Sequence, residues 1–289
     1  MTATGVPAGI APPHPAWRSL LWLIPLTVLW TVLITWQPSI PASGVPTSAH
    51  QLMAHGLIAV GLWLGLKSTD LTPSQRRTTW LAIMIPDTLW FAVAWSAAIN
   101  GVLITGISPL PLLPSAIFLP VIVGAPLLLL SDRVGQVLDA MPASWLVALQ
   151  VYRVFGSWFL AAWLRGVAPE VLALPAGTGD VLTGLFAVPA AIAVATGTAQ
   201  GRRAAMIWNI FGLADFVVAI AMGMVTTPSR FQLIVPNLPS FNAGAYPEVL
   251  TPAFVVPSSI LLHALSLRQL WRRRRAEAAR RSVGTFLRV

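Results

Sequence analysis

The chain is short of charge. Only 9% of its 289 residues are Asp, Glu, Lys or Arg, against about 25% in an ordinary soluble domain. So few charges cannot cover the surface of a water-soluble protein of this size. There is no cysteine, which excludes disulfides, thiolate metal sites, iron–sulfur clusters and a cysteine nucleophile. Lysine is nearly absent: Lys67 stands alone beside 17 arginines. The nucleophile elbow G-x-S-x-G, the zinc motif H-E-x-x-H and the phosphate-binding P-loop are all missing, and with them the hydrolase and nucleotide signatures they carry.

What is present is apolar. Hydrophobic residues make up 56% of the chain, and a helix needs about 20 mostly apolar residues to cross a bilayer. Eight stretches qualify: Trp17 to Trp36, Ala49 to Leu66, Thr79 to Asn100, Leu110 to Leu130, Ser144 to Leu164, Asp180 to Thr198, Ala204 to Val225 and Pro252 to Trp271. The expected fold class is all-α, a polytopic bundle of about eight transmembrane helices. The first stretch exceeds a signal-peptide core of about 7–15 residues and has only Arg18 near its start, so it reads as a retained helix. Prolines at 25, 86, 120, 126, 189 and 257 imply kinks, which a membrane bundle tolerates.

The net charge of +9 invites a nucleic-acid reading, but the basic residues flank the apolar stretches. With the N-terminus inside, 15 of them fall on cytoplasmic segments and only Arg165 and Arg230 outside. That asymmetry is the positive-inside pattern. It predicts both ends in the cytoplasm of a multi-pass protein, and the Arg-rich composition suits a bacterial inner membrane. The tail Arg272 to Arg281 is expected to prolong the last helix beside anionic lipid. The long outer connection, Thr226 to Thr251, is expected to lie over the bundle as a lid.

A shift of 128 residues superposes Trp17 on Trp145, Trp30 on Trp158, Trp80 on Trp208 and Asp87 on Asp215. It also aligns Gly56–Val60 with Gly184–Val188. This suggests two four-helix units in parallel, an arrangement known in transporters; shared Trp and Gly-Leu bias is the plainer source of the same matches. The implied organisation is a short segment 1–16, units 17–130 and 131–271, and a basic tail 272–289.

Ionisable groups at bilayer depth are costly and mark functional sites by default. Asp87, Arg153, Asp215 and His263 each lie about ten residues into their stretch, roughly 15 Å deep. Arg153 keeps its proton at any ordinary pH and so needs an anion. The acids at its depth are Asp87 and Asp215, and Gln150 lies three residues before it on the same helix face. If one acid pairs with Arg153, the other is left to hold its proton, because burial penalises the charged form. The plainer alternative is a structural lock between the two units. His55, Asp180 and Asn209 are secondary candidates.

Leu174-Pro175-Ala176-Gly177-Thr178-Gly179-Asp180 reads as a tight turn with Asp180 as helix N-cap, with an anion-holding helix start as the functional alternative. The stretch resembles one in uncharacterised bacterial polytopic membrane proteins, a resemblance that implies no activity. His50 and His55, five apart, point to different sides of a helix; no metal is expected. His55 and His263 are the one pair that haem ligation would use, and no cofactor is otherwise implied. Three readings follow: a transporter or permease, proton-coupled, for a small amphipathic or anionic substrate with Arg153 as counter-charge; a membrane-embedded enzyme or haem protein; a structural subunit.

Overall fold

The computed structural model describes residues 45–67, 69–104, 110–238 and 244–286, together with residues 25, 28 and 29. The expected first crossing, Trp17 to Trp36, therefore lies outside the described residues apart from those three positions. The elements are α1 (Val45–Lys67), α2 (Pro73–Ile99), α3 (Leu112–Leu130), the short α4 (Asp132–Ala140), α5 (Ala143–Leu149), α6 (Ser157–Leu164), α7 (Glu170–Ala195), α8 (Ala199–Thr226) and α9 (Val256–Phe286). A 3-10 segment, Gln150–Gly156, joins α5 to α6, and a π-helical turn, Thr251–Val255, leads into α9.

Among the described residues the fold is all-helical, and seven helical runs are long and apolar enough to cross a membrane. They correspond to the second through eighth stretches read from the sequence. Large apolar side chains such as Leu89 and Val93 on α2, Ile122 and Leu127 on α3, and Ile210 and Val217 on α8 stay exposed. Outward apolar faces on this scale suit lipid, not water. The chain is a multi-pass membrane protein.

Local chemistry sets the helix ends. Thr72 and Gln75 form a reciprocal capping box, with Pro73 in the first helical turn, so α2 starts six residues earlier than hydropathy suggests. Ser131 and Thr198 cap α4 and α8 by accepting from Val134 and Gly201 amides. Gly101 and Gly166 stop α2 and α6 in the left-handed conformation, at φ 66° and 68°. The following amides, Val102 and Val167, reach back to Ala97 and Ala162, which closes a Schellman turn at each.

One boundary corrects the sequence reading. α7 begins at Glu170, ten residues before the expected start, and runs unbroken through Pro175, Gly177, Gly179 and Asp180. The stretch is helix, not turn; Asp180 is mid-helix and caps nothing, and no helix N-terminus is there to hold an anion. Glycine and proline break helices in water, but in a packed membrane helix neighbouring elements restore what they cost. The small side chains of α7 let its neighbours come close, the usual basis of helix association in lipid. It packs on α5, α6, α8 and the 3-10 segment.

Candidate functional site

The interrupted crossing places Arg153 in the 3-10 segment, halfway along its span. A mid-helix 3-10 stretch often marks a functional hinge or a sequence under strain. Here it lies directly against α7. A side chain on Gly184 would run into the Val154 backbone and one on Gly156 into the Asp180 side chain. Glycine at both positions lets the two elements touch at backbone distance, which brings Asp180 beneath the Arg153 guanidinium.

Arg153 is 3% exposed, yet all three of its nitrogens have hydrogen-bond partners. Nε and Nη2 both lie 2.7 Å from Asp180 Oδ1. Nη2 also bonds the Asp215 carboxylate on α8. Nη1 donates to the Gly212 carbonyl at 3.3 Å and to His263 Nε2 at 3.1 Å. The guanidinium carbon stands 3.8 Å from the Phe216 ring centre, a desolvated cation–π contact of about 2 kcal/mol. Gly179 and Gly212 make room: a side chain on the first would strike Asp215, and one on the second His263 and Arg153.

The network continues along α8 and α9. Arginine only donates, so His263 Nε2 accepts and its proton sits on Nδ1, donated to Asn209 Oδ1 at 2.9 Å. Asn209 Nδ2 donates in turn to Ser266 Oγ at 3.0 Å and to the Ala205 carbonyl. His263 and Asn209 are fully buried. The cluster thus ties the 3-10 segment, α7, α8 and α9 together at mid-span. With His263 neutral it holds two carboxyls for one permanent cation.

The acids differ in access. The Asp215 side chain is 4% exposed and that of Asp180 18%. Asp180 lines a cavity of about 330 Å3 between α3, α6, α7, α8 and the 227–250 connection. The walls are mostly apolar, with Ile117, Phe159, Ala176, Phe216 and Met224 among them; Arg230 and Glu248 also line it. Burial pushes the Glu248 carboxyl above its usual range. The described part of the expected lid, Thr226 to Thr251, therefore supplies a wall of this cavity; Phe241 lies outside the described residues.

Other expected partners separate. Asp87 does not reach Arg153: it bonds His55 Nδ1 at 3.0 Å, between α1 and α2. His55 Nε2 meets Thr88 Oγ1 at 3.3 Å, and the ring stacks on Phe91. Histidine is nearer in sequence and in space, so the expected convergence of Asp87 and Asp215 on one centre does not occur. Gln150 donates to the Ser259 carbonyl at 3.0 Å instead of serving Arg153. His55 and His263, the pair that haem ligation would use, have separate partners: Asp87 and Thr88 for the first, Arg153 and Asn209 for the second. Arg153, expected as counter-charge for an anionic substrate, is paired with two carboxylates, Asp180 and Asp215.

Sequence reasoning missed Phe216, Gly212 and Ser266. Their signal was spacing: Asn209, Gly212 and Phe216 lie at i, i+3 and i+7 on α8, and Ser266 is three residues after His263. Glu248 and Arg230, on the long connection, carried no periodic signal. Among the described residues no group of His, Asp and Glu is arranged to hold a metal ion.

Comparison with known proteins adds a family and no activity. No curated protein and no solved structure matches the chain. Residues 110–271 match the model of a domain of unknown function, DUF8737. That match holds every residue of the Arg153 cluster and leaves the His55–Asp87 pair outside. Because it covers more than half of the sequence, the chain belongs to the DUF8737 family.

Proposed function

We propose that this protein is a proton-coupled transporter of the permease type, with Asp180 as the acid that exchanges between cavity and cluster. The observation that carries the proposal is the charge count at mid-span: two carboxyls, one arginine and a neutral histidine. Moving each ion out of water costs several kcal/mol, so a surplus carboxylate is a poor choice for a purely structural tie. One added positive charge, proton or substrate, balances the group. Asp180 is where that charge arrives, because it alone of the two acids meets the cavity.

Coupling follows from the geometry. Arg153 sits between Asp180 on α7 and Asp215 on α8. Neutralising Asp180 leaves the guanidinium to Asp215 alone, which weakens the pull on α7 and strengthens the pull on α8. A change of charge in the cavity thus becomes a change of force between helices. A parallel duplication would fit this reading, and one pair of contacts supports it: Trp80 and Trp208, 128 apart, both donate their indole N–H to a carbonyl of the preceding long helix, Ala59 and Thr183. Orientation with both ends in the cytoplasm follows the basic residues and would set the Arg-rich end of α9 against anionic headgroups.

The test is reconstitution into vesicles loaded with a pH-sensitive dye, challenged with a panel of amphipathic amines, carboxylates and alcohols. Solute-dependent proton movement that disappears in Asp180→Asn supports the reading. If no solute moves protons, and Asp180→Asn differs from the parent only in stability, the cluster is a structural tie.

A further inference from the structure

The cavity also carries information about what it takes. We infer that the substrate is a lipophilic monovalent organic cation, bound with its charge against Asp180. This rests on the transport reading, since it assigns the same cavity a ligand class.

Three observations converge. The first is charge. The groups facing Asp180 are Arg153 from the 3-10 segment and, beyond it, Asp215 from α8 and His263 from α9. Across the cavity stand Glu248 and Arg230 from the 227–250 connection. Summed over these groups the cavity side holds three carboxyls against two guanidiniums, with His263 neutral, so one positive charge is missing. Arg230 stacks on Phe231 at 4.9 Å and makes no ion pair with Glu248 among the described residues.

The second is the wall. Apart from the charged groups, the lining is dominated by aliphatic and aromatic side chains, including Phe118, Phe159 and Phe216. Aromatic faces attract cations and repel anions. A small hydrophilic ion would lose its hydration there for a few scattered oxygens, the carboxyls of Asp180 and Glu248 and the hydroxyls of Thr227, Ser229 and Thr251, set in an apolar wall; an apolar cation with diffuse charge loses little. The third is size. A volume of about 330 Å3 lies at the lower end of small-molecule pockets, about 300–1,000 Å3. It suits a body of a few rings or short chains, and excludes a phospholipid.

Proton and cation then compete for one carboxyl. Each supplies the missing charge, and both cannot occupy Asp180 together. Exchange of one for the other is the stoichiometry this arrangement produces.

The experiment is equilibrium binding to the purified full-length protein of two ions of one shape and opposite sign, tetraphenylphosphonium and tetraphenylborate. The expected result is saturable tetraphenylphosphonium binding that excludes tetraphenylborate. Asp180→Asn should weaken it by on the order of tenfold or more, the loss of one charge-assisted contact. Asp180→Glu should retain it, and Ala219→Trp, which fills the cavity, should abolish it. Thermal unfolding of each variant separates lost binding from lost fold. If tetraphenylborate binds as well or better and Ala219→Trp blocks it, the cavity is a site but the cation assignment is overturned. If neither ion binds saturably, the cavity reading falls along with it.

Discussion

Asp215 and Asp87 occupy matching places in the sequence and live in opposite circumstances. Asp215 is sealed among four elements against an arginine that can never discharge. Asp87 meets a histidine, with both side chains about a fifth exposed. Histidine can become neutral and release its partner from any need for charge. Arginine cannot, so the Arg153 region had to build everything around a fixed cation: two acids, a ring face, a carbonyl, and glycines at the points where a side chain would intrude. The His55–Asp87 region needed two helices, a hydrogen bond at each ring nitrogen and one stacked ring. The lesson is that the identity of the base, more than the depth of the acid, decides how much structure a buried pair demands.

The sharpest way to break that comparison is to remove the two bases in turn. Arg153→Met strands two carboxyls at mid-span and should destabilise by about 3–5 kcal/mol, as removal of one member of a buried ion pair does. Denaturation in detergent measures it. His55→Gln should fall well below that. An equal loss in both would dissolve the distinction.

A smaller effect tests the glycine walls. Gly184→Ala puts a methyl on the Val154 backbone, which cannot turn aside, and overpacking of this kind costs about 1–3 kcal/mol. Gly56, 128 residues earlier, has nothing within 4 Å. Gly56→Ala should be neutral or stabilising by up to about 1 kcal/mol, through helix propensity. The same thermal scans report both.

Asp87→Asn should cost less than about 1 kcal/mol, because a partly exposed pair contributes little. The smallest effect belongs to Asp139 and Arg272, which pair between the end of α4 and the middle of α9 with their side chains 46% and 41% exposed. Hydrogen bonding and charge from Arg272 hold the Asp139 carboxyl below its usual range. A depressed carboxyl contributes stability above the ordinary carboxylate range and loses it as pH falls through the lowered value. Screening limits this to a few tenths of a kcal/mol. A double-mutant cycle run at neutral and acid pH, with and without salt, reads it; a coupling that grows on acidification would contradict the assignment.

Much of this was legible beforehand, for reasons that separate cleanly. Hydropathy located the spans because lipid leaves no other choice for apolar runs of that length. The contact between Arg153 and Asp215 was legible because a buried arginine must find an anion. Asp180 was misread because glycine and proline spacing means a turn in water. Asp87 was misassigned because depth alone says nothing about direction around a helix axis. The 3-10 segment had no signal in the residues themselves: it depends on how closely α7 approaches, which is a property of both elements.

The central claim is that the cluster carries one acid more than its fold requires. Thermal unfolding of Asp215→Asn beside Arg153→Met tests it most directly. Removing an acid leaves Arg153 balanced by Asp180, so Asp215→Asn should unfold at or above the parent temperature while Arg153→Met falls far below it. If Asp215→Asn collapses as Arg153→Met does, both carboxylates are needed to hold the helices, and the surplus charge is a lock and not a site.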